Sequence, residues 1–207
     1  MQSDQAANDD CEGATSAEKA ALLDEIGLLR SALAVCAARI ASLDREANVD
    51  PLVNLSNRRR FLVNLESTIA RVREQDLAAA VLFLDLDGLK AINDRLGHNA
   101  GDEALVRVAR LLVASVRQGD LVSRFAGDEF GILLENADEL SAWRMALRIV
   151  ETVDECEFCV GEVCVPLSIA VGVGVVRPGD TPEAVLERAD KEMYRIKQIS
   201  DATLRMV

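Results

Sequence analysis

Basic residues are in short supply: 23 Lys and Arg stand against 35 Asp and Glu in 207 residues, leaving a net charge of −12. A protein that wraps nucleic acid needs a basic face to release counterions, so this balance excludes that class, while a small anion carried by Mg2+ stays compatible. No apolar run reads as approaching the ~18 residues that a bilayer crossing requires. The acidic start MQSDQAANDD also lacks the basic and apolar regions of a signal peptide. The expectation is a cytoplasmic protein with no membrane partner. Histidine occurs once, at position 98, and the five cysteines at 11, 36, 156, 159 and 164 are an odd number, so a disulfide framework is not expected. The run CEFCVGEVC contains a CxxC and a third Cys, but no fourth Cys or His lies nearby. Of a metal knot and core positions in a β-hairpin turning at Val160-Gly161-Glu162, the hairpin is favoured.

Half of the residues are apolar, enough for one core of ordinary domain size with some length left over. Residues 1–16 are polar and acidic and read as a disordered tail. From there to residue 47, Leu22, Ile26, Leu29, Leu33, Cys36, Ile40, Leu43 and Ala47 recur at alternating spacings of four and three. Ile26, Leu33, Ile40 and Ala47 fall on a positions and Leu22, Leu29, Cys36 and Leu43 on d, a pattern that suits a parallel two-stranded coil. In that register Glu25 faces Arg30 of the partner helix, and Arg39 faces Asp44. An amphipathic helix folded onto its own domain is the alternative, and the two charge pairs favour dimerisation.

Residues 48–207 read as a second, globular region. A helix begins near Arg59; AAAVLFLDLD is a buried strand ending on two carboxylates; a loop, GLKAINDRLGHNAGD, leads to a helix over about 103–117. The strand LVSRF, an AGDE turn and the strand FGILLE follow, then a helix over about 138–153, a hairpin through SIAVGVGVV and a last helix over about 181–198. This order gives an α+β, ferredoxin-like split βαβ domain with an antiparallel sheet and helices on one face, preceded by the coiled-coil helix. It brings Asp85 close to Asp128 of RFAGDEF, where Asp128 and Glu129 are consecutive acids. Carboxylates gathered from separate strands repel unless a cation neutralises them, and oxygen ligands without His or Cys select Mg2+ or Mn2+. A substrate completing that coordination sphere would be a nucleoside triphosphate. Gly127 lets backbone approach a phosphate without a Cβ in the way.

The segments DPLVNLSNRR, FLDLDGLKAINDRLGHNAGDEAL, RQGDLVSRFAGDEF, SIAVGVGV and ADKEMYRIK resemble, in order, those of a GGDEF domain, the catalytic domain of diguanylate cyclases. The resemblance implies a nucleotidyl-cyclase-type fold and condensation of two GTP into cyclic di-GMP and two pyrophosphates across a homodimer. By motif position it implies that Asp85, Asp128 and the carbonyl of Leu86 ligate the metal, with Glu129 a further ligand or proton acceptor. Asn93 and Asp102 would read guanine, with His98 close to the nucleotide. Asp102 argues for GTP over ATP, because adenine leaves the carboxylate unpaired. Lys197 matches the lysine that reaches the terminal phosphates, or is one more solvated charge on the last helix.

Arg117-Gln-Gly-Asp120 is similar to the RxxD site at which cyclic di-GMP inhibits its own synthesis, with Arg148 in the place of a second arginine supplied from a neighbouring domain. A charge pair at a helix end is the plainer reading. Several departures stand out. Ala126 replaces the first Gly of the signature, at a cost of roughly 1 kcal/mol if the position requires positive φ. Asp201 stands where the family usually carries a phosphate-binding Arg, for which Arg205 could compensate. Leu89, Val53, Asn54 and Ser56 replace Phe, Thr, Gly and Pro and read as packing variations. A silent domain that only binds cyclic di-GMP is therefore the second reading beside the cyclase.

Overall fold

Strand β2 (Ala79–Leu86) is apolar at nearly every position, AAVLFLDL, and a strand of this kind needs cover on both faces. The computed structural model describes the backbone of residues 3–204 and the side chains of residues 21–40 and 42–198. In it, Ala80, Leu82, Leu84 and Leu86 face one core, built with α4 (His98–Ser115) and α5 (Glu139–Asp154). Ala79, Val81 and Phe83 face a second, built with α2 (Arg58–Gln75) and α6 (Pro182–Leu204). The expected placing of the helices on one face is thus corrected, and the alternation of β2 is the reason.

The sheet has the order β1-β3-β4-β2-β7, where β1 is Ser56–Asn57, β3 Leu121–Ala126, β4 Glu129–Glu135 and β7 Ile169–Val175. Its four long strands are antiparallel in the split βαβ order, and β1 adds a parallel edge beside β3. The stretch SIAVGVGVV is a single strand rather than the expected hairpin. Its glycines serve close approach: a Cβ on Gly172 would lie 2.1 Å from the Ala189 carbonyl and 2.3 Å from the Met193 nitrogen of α6. The stretch GLKAINDRLGHNAGD, expected as a loop, is mostly helical, with α3 (Leu89–Leu96) and the start of α4 divided at Gly97, whose φ is 88°.

Strands β5 (Glu157–Val160) and β6 (Val163–Pro166) form a separate hairpin turning at Gly161 and Glu162. Its cysteines are not in the core. Cys159 and Cys164 are exposed, directly opposite in the ladder, and joined by a disulfide, which corrects the expectation of unpaired thiols. Both fall on the solvent face because Phe158, next to Cys159 in β5, turns inward, and side chains alternate along a strand.

Residues 1–47 and 48–207 are two compact units. The first is helix α1 (Ser3–Asn48), on which the seam residues Leu22, Ile26, Leu29, Leu33, Ile40 and Leu43 are exposed, as are Leu23, Leu28 and Val35 away from the seam. The tail expected over residues 1–16 lies outside the described side chains. Within α1, Ala21–Asn48 contains an 18-residue window with a mean hydropathy of 1.6 and is, by length and composition, apolar enough to cross a membrane. The expectation of no such run is corrected: Arg30 and Arg39 are the only charged residues between Ile26 and Leu43.

Candidate active site

The site is built where β2 ends against the start of β4. Asp85 and Glu129 are directly opposite in that ladder, and Asp128 sits in the preceding turn with its carbonyl accepting the Leu86 N–H at 3.1 Å. Like charges placed opposite each other in a sheet repel. Burial pushes the Asp85 carboxyl above the ordinary carboxylate range; Lys197 pulls the other way, and Asp128 and Asp87 add to the rise. Glu129 is raised by burial first and then by Asp85 and Asp128. The cation that answers them is Lys197 on α6, whose Nζ lies 2.6 Å from Asp85 and 3.1 Å from Asp87. Burial works to lower the Lys197 pKa, but the two carboxylates more than offset it.

Among the described residues no three His, Cys, Asp or Glu side chains converge into a preformed metal cage. The donor set nevertheless fits Mg2+ or Mn2+, which are held by one or two carboxylates with water and substrate oxygens making up the rest. The side chains of Asp201 and Arg205 lie outside the described residues. Beside the carboxylates a cleft of about 420 Å3 opens between α2 and α6, floored by Phe83 and Phe125, with Glu129 and Arg58 on its walls.

The turn carrying Asp128 is held by a residue that the motif reading passed over. Arg124 donates to the Gly127 carbonyl at 3.0 and 2.7 Å and pairs with Asp50 at 3.2 Å, tying the signature turn to the junction before α2. Its signal was within RFAGDEF, one cation ahead of two acids. Asp87 was also passed over, although it is the second carboxylate of FLDLD. Positive φ falls on Gly127, at 51°, and not on Ala126. The strain attached to Ala126 therefore does not arise. Asn54 has φ 55°, so its place in the family pattern is conformational and not a matter of packing; Asn is among the residues that tolerate that region best.

Asn93, His98 and Asp102 lie on α3 and α4. His98 and Asp102 are exposed, and a Cβ on Gly101 would lie 2.0 Å from Asn93 Oδ1, so glycine there lets Asn93 settle against the first turn of α4. The geometry joins Asn93 to the segment of Asp102 and joins Asp85, Asp128, Glu129 and Lys197 to one another. Arg117 and Asp120 form a turn: the Asp120 carboxylate accepts the Arg117 N–H at 3.0 Å and the Glu135 N–H at 3.3 Å. Arg148 donates from α5 to the Ser115 carbonyl, two residues before Arg117. It thus stands beside the RxxD turn of its own chain.

The family model described as "Diguanylate cyclase, GGDEF domain" matches residues 47–202. The chain belongs to the GGDEF family. Among GGDEF relatives, the diguanylate cyclase TpbB of Pseudomonas aeruginosa is 37% identical over 188 residues, covering 90% of this chain and 42% of TpbB. The chain thus spans less than half the length of that relative. A structure comprising only the TpbB GGDEF domain superposes with a TM-score of 0.69 at 37% identity, covering 72% of this chain and 88% of that one. The diguanylate cyclase SiaD of Pseudomonas aeruginosa, solved in complex with its activator SiaC, gives a TM-score of 0.70 at 29% identity, covering 93% of this chain and 79% of SiaD.

Proposed function

We propose that the protein is a diguanylate cyclase that condenses two GTP into cyclic di-GMP, with two pyrophosphates released. The observation that carries this reading is the facing pair Asp85 and Glu129, with Asp128 beside them and Lys197 as their counter-charge. A bound Mg2+ or Mn2+ would be held by Asp85, Asp128 and the Leu86 carbonyl, and would polarise the α-phosphate and favour ionisation of the attacking 3′-hydroxyl. Glu129 lies close enough to share the ion or to take a proton. Lys197 binds the terminal phosphates, and Gly127 leaves backbone open to them.

Asn93 hydrogen-bonds the guanine edge and the Asp102 carboxylate accepts from its N1–H and amino group, with His98 near the nucleotide. The selectivity for GTP rests on Asp102, which adenine would leave unpaired. Because each domain presents one GTP, turnover requires a homodimer, and the exposed seam of α1 supports a parallel coil as its means. Arg117, Asp120 and Arg148 form the product-inhibition site for cyclic di-GMP; the proximity of Arg148 to that turn supports it.

The test is incubation of the purified chain, freed of copurified cyclic di-GMP, with GTP and Mg2+, followed by separation of the nucleotides. Cyclic di-GMP accumulates over time, and Asp128→Asn abolishes it. No turnover, with cyclic di-GMP binding lost in Arg117→Ala, would instead make the protein a receptor.

A further inference from the structure

We propose that Cys159 and Cys164 form a reversible dithiol–disulfide switch that tunes nucleotide binding through α4. This rests on the cyclase reading for the identity of the nucleotide, but not for the chemistry of the sulfurs. The two residues are a register pair of the β5–β6 hairpin, joined by a disulfide, and both are exposed. Only five positions separate them, so the bond closes a very short loop that the turn at Gly161 already closes. A bond of that kind adds little to global stability, since loop-closure entropy grows with loop length. Exposed disulfides are also the ones that exchange readily with thiols in solution.

What the bond does hold is local. A two-stranded hairpin is marginal by itself, and this one is outside the main sheet, anchored inward mainly by Phe158. Cys159 and Phe158 share a bay of about 700 Å3 with Asp102, Arg107 and Arg110 of α4. Arg107 also donates to the Cys156 sulfur at 3.1 Å, a second tie between α4 and the entry to β5. The hairpin therefore leans on the helix whose second turn carries the guanine reader Asp102. Stapled, it gives that turn a rigid backing; reduced, it leaves the backing free to fray.

The exchange balances without any group beyond a thiol donor. A thiolate of a dithiol attacks one sulfur, the Cys159–Cys164 bond breaks, and a mixed disulfide forms. The donor's second thiol then displaces the protein sulfur, leaving the donor oxidised to a disulfide and both cysteines as thiols after uptake of two protons. Glutathione does the same with two molecules, one per step, and glutathione disulfide re-forms the bond with release of two glutathione thiols.

The full chain is equilibrated in glutathione buffers of graded ratio, quenched in acid and labelled with a maleimide. Mass spectrometry then counts thiols, while GTP affinity is read by calorimetry with Ca2+ in place of Mg2+ and KM by pyrophosphate release. The oxidised form takes up two labels fewer than the reduced form, and reduction weakens GTP binding by about fivefold or more, the lower end of ordinary coupling between sites, with kcat unchanged. Cys159→Ser and Cys164→Ser bind as the reduced form does in every buffer. A pair that never changes its label count across the series overturns the proposal, as does equal GTP affinity in the two states. Absence of turnover with label count and affinity still linked leaves the switch standing and removes the cyclase reading alone.

Discussion

Backbone conformation decides which residue of the AGDE turn can change. Gly127 holds φ 51°, so Gly127→Ala should cost about 1 kcal/mol in urea unfolding, the usual penalty for a Cβ in that region. Ala126→Gly, which restores the family's usual signature, should instead lower stability by roughly 0.5–1 kcal/mol because glycine weakens a strand, and leave GTP turnover unchanged. Charge matters equally at this scale. Asp85 and Glu129 hold their protons more tightly in the folded chain than in the unfolded one. Their contribution to stability is therefore present below the ordinary carboxylate pKa of about 4 and is lost as pH rises through their raised values. Glu129→Gln removes the repulsion, and should stabilise the metal-free chain near neutral pH by roughly 0.2–1 kcal/mol, the scale of a facing like-charge pair. The difference in melting temperature between the variant and the parent, followed from pH 4 to 8, reads this; a constant difference would rule it out. Acidification should also weaken Mg2+ capture at a pH above the usual carboxylate range.

Among the elements, β7 and α6 are the most tightly matched. Gly172→Ala would drive a methyl into the Ala189 carbonyl and the Met193 nitrogen, both backbone atoms that cannot swing aside. Overpacking of this kind costs about 1–3 kcal/mol, and because Lys197 rides on α6 the variant should lose GTP affinity as well as melting temperature. The same pair of elements shows where the sequence was legible. The apolar run of β2, the AGDE turn and the amphipathic helices carried their own periodicity, so the split βαβ order could be read from them. The glycines of SIAVGVGVV could not be told from turn residues, because a helix backbone packed on a strand leaves the same mark as a tight turn. The second helical layer was missed although β2 is apolar on both faces. At the site, the carboxylates and Lys197 were legible through the family motifs, whereas Asp87 and Arg124 act through contacts with distant segments that spacing alone does not expose. The disulfide was hidden for a related reason: register, not count, brings Cys159 to Cys164.

For the whole molecule, the exposed seam of α1 is where the proposed pairing of two chains can be tested. If the seam forms a parallel coil, Leu29→Asp with Leu33→Asp should convert a dimer to a monomer in sedimentation velocity and reduce cyclic di-GMP synthesis by at least an order of magnitude, because the proposed condensation joins two substrates across subunits. An unchanged sedimentation coefficient would remove the coil from the account. The apolar stretch Ala21–Asn48 makes a second measurement worthwhile, flotation of the full chain with phospholipid vesicles, in which the coiled-coil reading expects the protein to stay at the bottom of the gradient.

The ion pair of Lys197 with Asp85 and Asp87 has a consequence for the order of events. In the resting chain the lysine occupies the place of the cation that the proposed reaction would use. A divalent ion held by Asp85 would take the place of the ammonium group, and a triphosphate would give Lys197 a new partner, so the two would bind best together. Metal alone should bind feebly, and nucleotide alone little better, while each should greatly sharpen the other.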